Sequence, residues 1–325
     1  MTAGKEQSTI EGMQPLLLIS YGAPEQQDDV VPFLNNLFAG QTVPVERRTA
    51  AVQKYNRYAA KTGHLSPLNA ECRRLREGIL YEWSPRHSEP LPIYWGNLFG
   101  HPLLTDIVAA MARDGVGRAT CFATSVFDSP AGNQRYVDAL ETARKAIGAS
   151  APILEKLPLP FDHPLFLEAQ TDRLLEALAW HHLEEASRTD NRQTAVVLFS
   201  AHSIPLVDAA RCPYVCQLQA TCQKVIEKSG IWLPWELVYQ SRSGQPERWL
   251  GPDIKERIRE LAAEGCRSVI VSPIGFFCEN METEYDLDVE VGEECAELGL
   301  SFFRSRAVGA LPKICRMIVE LVDGL

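Results

Sequence analysis

The chain has 325 residues, of which 46% are hydrophobic and 23% charged, with 32 Lys and Arg against 42 Asp and Glu for a net charge of −10. This composition excludes a disordered polymer, and the acid excess excludes general affinity for nucleic acid or anionic lipid, so any anionic substrate must meet a local basic patch. The first fifteen residues, MTAGKEQSTIEGMQP, lack an apolar signal core and no run approaches the roughly 18 apolar residues of a membrane span, so a cytoplasmic protein without a transmembrane segment is expected.

Single cores stop growing near roughly 250 to 300 residues, so two α/β lobes of similar size are expected. In the first half, short apolar runs predict strands at 15–20 (PLLLIS), 92–96 (PIYWG) and 118–124 (RATCFAT). In the second half the corresponding runs lie at 194–201 (TAVVLFSA), 235–240 (WELVYQ) and 267–273 (RSVIVSP). Longer stretches of helical period separate them, which is the pattern of parallel βαβ units. Prolines crowd residues 149–164, ASAPILEKLPLPFDHP, so no regular helix is expected there and the chain is expected to cross between lobes near Pro160. The lobes would then be 1–160 and 161–311, with a closing helix over 312–325 that can pack back on the first lobe.

An internal echo points to the chemistry. The first strand runs out as LLLISYGAP and the first strand of the second half as VVLFSAHSIP. Ligands of open α/β sheets collect at the carboxyl ends of strands, so Tyr21 and His202 are expected to face one cleft. A histidine there can take up a proton or bind a metal near neutral pH, although a strand-end histidine that only bonds a neighbouring loop is the commoner case. Farther on, Glu282, Asp286 and Glu290 stand at i, i+4 and i+8 and align three carboxylates on one helical face. Hard oxygen ligands of this kind suit a ferrous ion in transit; the plain alternative is a solvated acidic helix. The strand-end run SPIGFF leads straight into this acidic segment, which brings it to the same sheet edge as His202. Trp95, Phe99, Phe127, Phe276 and Phe277 would supply walls for a flat apolar ligand, or simply fill the core. No GxxxxGK[ST], strand-following GxGxxG or GxSxG is present, which removes the common nucleotide-binding and hydrolase readings.

Taken in order, LLLISYGAPE, HLSPLNA, PIYWGN, FATS, FSAHSIP, QSRSGQPERWLGPD, SPIGFF and METEYDLD resemble the ferrochelatase family along almost the whole chain. The resemblance implies two Rossmann-like lobes, each with a parallel four-stranded sheet flanked by helices, around a porphyrin cleft, and insertion of ferrous iron as a substrate. It also implies that His202 is the active-site histidine and proton acceptor, and that Glu282 faces it near the macrocycle. Asp286 and Glu290 would continue an acidic ladder that passes metal inward. Tyr21 matches a tyrosine found in enzymes acting on coproporphyrin III, where its oxygen can reach the iron from the opposite face. Ser66 in HLSPLNA and Thr124 in FATS fall in blocks expected to contact substrate. The four propionates of coproporphyrin need basic partners, and Lys54, Arg57 and Lys61, at i, i+3 and i+7, are candidates.

Two features depart from the pattern. Where the family commonly has Asp-His, this chain has Glu279 and Asn280. Some relatives hold a two-iron two-sulfur cluster through four cysteines, whereas here only Cys212, Cys216 and Cys222, among nine cysteines, lie close together. Cys216 and Cys222 are about 600° apart on a regular helix, so no cluster or other retained cofactor is expected. The competing readings are a protoporphyrin IX enzyme, a cobalt or nickel chelatase of the same superfamily, and a non-catalytic porphyrin- or haem-binding protein. Transient contact with other haem-pathway enzymes is a further expectation.

Overall fold

Residues 13–185, 195–242 and 245–324 are described by the computed structural model, and within them lie two four-stranded parallel sheets. The first contains β1 (Leu16–Ser20), β2 (Ile93–Asn97), β3 (Arg118–Ala123) and β4 (Ile153–Lys156) in the order β2-β1-β3-β4. The second repeats that order as β6-β5-β7-β8, from β5 (Ala195–His202), β6 (Trp235–Gln240), β7 (Ser268–Ser272) and β8 (Ser301–Arg304). All six predicted strands are present, each within one residue at either end. The four central ones were legible because they are buried on both faces and read as continuous apolar runs; β2 and β6 are half-buried edge strands of five and six residues.

The two strands that sequence reasoning missed are both edge strands of four residues. β4 adds a short strand to 149–164, where no regular helix was expected. There ILEK pairs with β3, and proline is tolerated on either side because an edge strand has one unpaired flank. Pro160 itself lies between the last strand of the first sheet and the first strand of the second.

The first sheet is followed or flanked by α1 (Val30–Leu37), α2 (Val45–Thr62), α3 (Leu68–Trp83), α4 (Leu104–Arg113) and α5 (Arg135–Ile147). After these come α6 (Pro164–Glu185), α7 (Leu206–Ala209), α8 (Tyr214–Ser229) and α9 (Ile254–Ala263). A π-helix (Glu282–Val291) then runs directly into α10 (Gly292–Glu297), and α11 (Pro312–Asp323) closes the chain.

Strand alternation divides the core. Leu17 and Ile19 turn to Leu104, Val108 and Leu140 on one side, and Val196 and Leu198 turn to Ile254, Ile258 and Leu287 on the other. Leu16, Leu18, Val197 and Phe199 instead face a shared interior completed by Leu75 and Ile79 of α3, Phe166 and Leu174 of α6, and Ile314 and Ile318 of α11. The closing helix therefore packs on α3 of the first lobe and on α6 as well.

In both sheets the chain reverses direction across the first strand, between β1 and β3 and again between β5 and β7. Such switch points open a crevice at the carboxyl ends of the strands. Tyr21 follows β1, Thr124 follows β3, His202 ends β5, and the segment leading to Glu282 follows β7. Glycine makes two of these exits possible. Gly22 has φ +79, and a Cβ there would lie 2.7 Å from the Asn97 side chain, while a Cβ on Gly275 would lie 2.6 Å from Ala201.

Candidate functional site

His202 is oriented by its own loop. Its Nδ1 lies 2.6 Å from the Ser203 carbonyl, which can only accept, so Nδ1 carries the proton and the Nε2 lone pair of the neutral ring is left free. Nε2 stands 3.8 Å from Oε1 of Glu282, and the two side chains are 39% and 38% exposed. A base and a carboxylate from two different strand ends thus meet at an accessible place.

The backbone behind Glu282 is fixed from both sides. Asn280 Oδ1 accepts from the N–H groups of Glu282 (2.8 Å) and Thr283 (3.1 Å), a cap for the start of the π-helix. The Gln240 amide donates to the Glu282 carbonyl at 3.3 Å, while its own oxygen accepts from the buried Ser200 hydroxyl. Three residues before Glu282, Glu279, 2% exposed, accepts from Arg304 Nη1 (2.9 Å), Thr283 Oγ1 (2.6 Å) and the Ala307 N–H (2.7 Å). Burial alone would raise the Glu279 carboxyl, but Arg304 and these hydrogen bonds outweigh it and hold it below its ordinary value. Arg304 also pairs with Asp288, so one guanidinium ties both ends of the acidic segment to the end of β8. Where the family pattern has an imidazole, this chain has a helix cap.

The π-helix presents the predicted acids in series, each with a basic partner. Beyond the Glu282–His202 pair, Asp286 lies 2.5 Å from Lys54 Nζ and accepts from the Ser241 hydroxyl at 2.7 Å, and Glu290 lies 2.6 Å from Lys255 Nζ. Ser241 has φ +63, the one non-glycine residue with positive φ among those described. That strain turns its hydroxyl toward Asp286. Wide-turn π segments of this kind recur at functional sites.

The basic residues of α2 do not form the free propionate patch expected from sequence. Lys54 is held by Asp286, Lys61 pairs with Glu293, and between them the Tyr58 hydroxyl bonds Glu284. The positive face of α2 lies against a strongly acidic helix, and Coulomb attraction engages it there. Only Arg57 of the three is exposed and without an ion pair among the described residues. Burial works against the Lys54 ammonium, but Asp286, Glu282 and Glu290 outweigh it and raise its pKa.

In the first lobe the Tyr21 oxygen accepts from Arg135 Nη1 at 2.8 Å, and its ring meets Phe99 edge-on at 4.6 Å. Burial raises the Tyr21 phenol; Arg135 works to lower it and Glu282 to raise it further, so the phenol keeps its proton at neutral pH. Tyr21, Phe99 and Met281 pack on one cluster with Phe33 and Tyr55, which brings the residue next to Glu282 against the first lobe. Of the other aromatics, Phe127, Phe276 and Phe277 are buried core residues, and Trp95 lies half-buried beneath Arg73. Ser66 accepts from the Leu68 N–H at 3.3 Å and shapes the entry to α3, and Thr124 is half-buried at the end of β3 with its N–H bonded to the Ile19 carbonyl.

The cysteine run is dispersed. Cys212 is half-buried before α8, Cys216 is exposed on that helix, and Cys222 is fully buried on it. Sequence reasoning missed Arg135, Ser241, Gln240 and Arg304. Only Ser241 and Gln240 fell in a quoted motif, and the others act through contacts 16 to 114 residues away in the chain.

A model of the ferrochelatase family matches residues 14–324. A coproporphyrin III ferrochelatase of Frankia alni is 41% identical over 335 residues, covering 99% of this chain and 82% of the relative. One from Nocardia farcinica is 39% identical over 96% of this chain and 89% of its own length. A ferrochelatase of Rhodopirellula baltica is 37% identical over 94% and 84%. Among solved structures, SirB from Bacillus subtilis with Fe3+ superposes over 96% of this chain and 95% of its own with a TM-score of 0.51 at 13% identity, a likeness of fold.

Proposed function

This chain belongs to the ferrochelatase family, whose members insert iron into a tetrapyrrole, and from that premise we propose that its substrate is coproporphyrin III, with coprohaem as product. His202 Nε2 takes a pyrrole proton, and Glu282 contacts the incoming ferrous ion beside it. Insertion releases two N–H protons as the metal takes their place, so a base and a metal-binding carboxylate must reach the same face of the macrocycle. The observation that carries the reading is the His202–Glu282 pair, 3.8 Å apart and open to solvent at the convergence of two strand ends. Asp286 and Glu290 supply metal to that pair. Tyr21, in the first lobe with Phe99 and Arg135, addresses the second face of the ring.

The choice of porphyrin is supported by Tyr21 and by the relatives of Frankia and Nocardia, which are named for coproporphyrin III. Arg57 is left from the α2 set as a partner for a propionate. We further propose that the enzyme works in the cytoplasm without a retained cofactor; no helix among the described residues is long and apolar enough to cross a membrane. Anaerobic incubation with ferrous iron and coproporphyrin III, protoporphyrin IX or a more carboxylated tetrapyrrole is the test. Fastest steady-state insertion is expected with coproporphyrin III; preference for protoporphyrin IX would reassign Tyr21 to packing. Binding without turnover of any of the three would make the protein a carrier.

A further inference from the structure

Each of the three aligned acids, Glu282, Asp286 and Glu290, has a cationic or ionisable partner, and the central pair differs from the other two. Glu282 and His202 are both more than a third exposed, as are both partners of the Glu290–Lys255 pair. Asp286 is 9% exposed, and the ammonium that neutralises it comes from the other lobe on α2. The second Asp286 oxygen is fixed by Ser241, whose backbone is strained to φ +63. The neighbouring contacts of Tyr58 with Glu284 and Lys61 with Glu293 already tie α2 to this segment, so Lys54 is not the sole bridge between them.

We propose that Lys54 is the resident counter-ion of the acidic series, which an incoming divalent metal must displace from Asp286, so that Lys54 sets how tightly metal is held before it reaches His202 and Glu282. The inference rests on the reading of Glu282, Asp286 and Glu290 as the metal's route. Three aligned carboxylates with no internal cation would trap a divalent ion, and a trapped ion is delivered slowly. A tethered ammonium competes at high effective concentration and refills Asp286 as the metal moves on. Its compact charge on a flexible four-carbon stem suits it to leave and return, and the Tyr285 ring, 5.4 Å from Nζ, lies beside the path.

The probe is Co2+ added to porphyrin-free protein, with binding followed by calorimetry and by the visible absorption of the bound ion. Lys54→Met should bind Co2+ on the order of tenfold more tightly than the unaltered chain, and Lys54→Arg should stay within about twofold of it. In turnover, Lys54→Met should lower the KM for metal and the kcat together. Removing the ammonium leaves Asp286 charged, so Lys54→Met should melt lower when metal-free and recover as Co2+ is added, a readout that survives partial destabilisation. Unchanged or weaker Co2+ binding by Lys54→Met, with binding still lost in Asp286→Asn, would overturn the proposal and leave Lys54 as a strap between lobes. If Asp286→Asn and Glu282→Gln also bind Co2+ like the unaltered chain, the acidic series is not the metal's route and the proposal falls with that reading.

Discussion

The two lobes share strand order, parallel register and a buried serine on the central strand, yet their carboxyl edges carry different chemistry. In the first lobe Ser20 donates to Asn97, whose amide in turn donates to the His101 carbonyl and shapes the loop beside Tyr21. In the second, Ser200 donates to Gln240, whose amide reaches the Glu282 carbonyl. The same device therefore steadies an aromatic wall in one lobe and a base with its carboxylates in the other. A repeated scaffold fixes where a functional group can stand, and the loop after the strand decides what stands there.

The sharpest way to break this division of labour is to remove its reactive side. His202→Ala should lower iron insertion by about 10² to 10⁴ while the fold and porphyrin binding persist, because a strand-end side chain is truncated without opening the core. Glu282→Gln should fall in the same range. Single-turnover insertion, with porphyrin binding followed by fluorescence quenching, measures both. Near-normal turnover in either variant would mean that the second lobe is not the reactive one.

Next in size is the clamp under the acidic segment. Arg304→Met leaves Glu279 buried without its guanidinium, which should cost about 3 to 5 kcal/mol of stability. In the first lobe the buried carboxylate Glu71 pairs instead with Arg74, whose side chain is 53% exposed. Because the Glu279 carboxyl is depressed in the folded protein, its stabilisation is fully present above the unfolded carboxylate value, near about 4.3, and is lost as pH falls through the lower folded value. Glu279→Gln should therefore show a shallower acid limb of Tm against pH than the unaltered chain. An unchanged limb would show that other carboxylates govern acid unfolding.

Changes on the first lobe should tune the reaction. Tyr21→Phe removes the acceptor for Arg135 but keeps the ring against Phe99, so the rate with coproporphyrin III should drop by roughly tenfold or less. A loss as large as that of His202→Ala would make the aromatic wall a second reactive centre. The kcat and KM of this variant, set beside those of His202→Ala, decide the matter.

Much of this arrangement was legible in the sequence because both signals were local. Two-sided burial wrote the four central strands as apolar runs, and the echo of YGAP and HSIP marked the ends of β1 and β5. The edge strands ILEK and SFFR were missed because four residues, none of them buried, carry too little pattern. That Lys54 and Lys61 pair with Asp286 and Glu293 was not legible, since a single helix does not reveal that acids 232 residues away lie against it. Arg304 and Arg135 were invisible for the same reason: their partners are remote in the chain.

The smallest effect expected is at the cysteine run, which follows His202 on the reactive side and would add a cofactor to that lobe if it held one. A two-iron two-sulfur cluster needs four converging thiolates. Here α8 runs unbroken through Cys216 and Cys222, so the two thiols leave the helix on different faces, one exposed and one fully buried. Cys222 packs among Leu218, Val225 and Phe166, and burial pushes its thiol up, which opposes the thiolate that iron requires. Cys212→Ser and Cys216→Ser should therefore each keep iron insertion within about twofold, the usual reach of a surface substitution. Anaerobically purified protein should be colourless apart from bound porphyrin. A brown preparation containing iron and acid-labile sulfide in equal amounts, lost in Cys216→Ser, would reverse this and give the second lobe a cofactor that the first lacks.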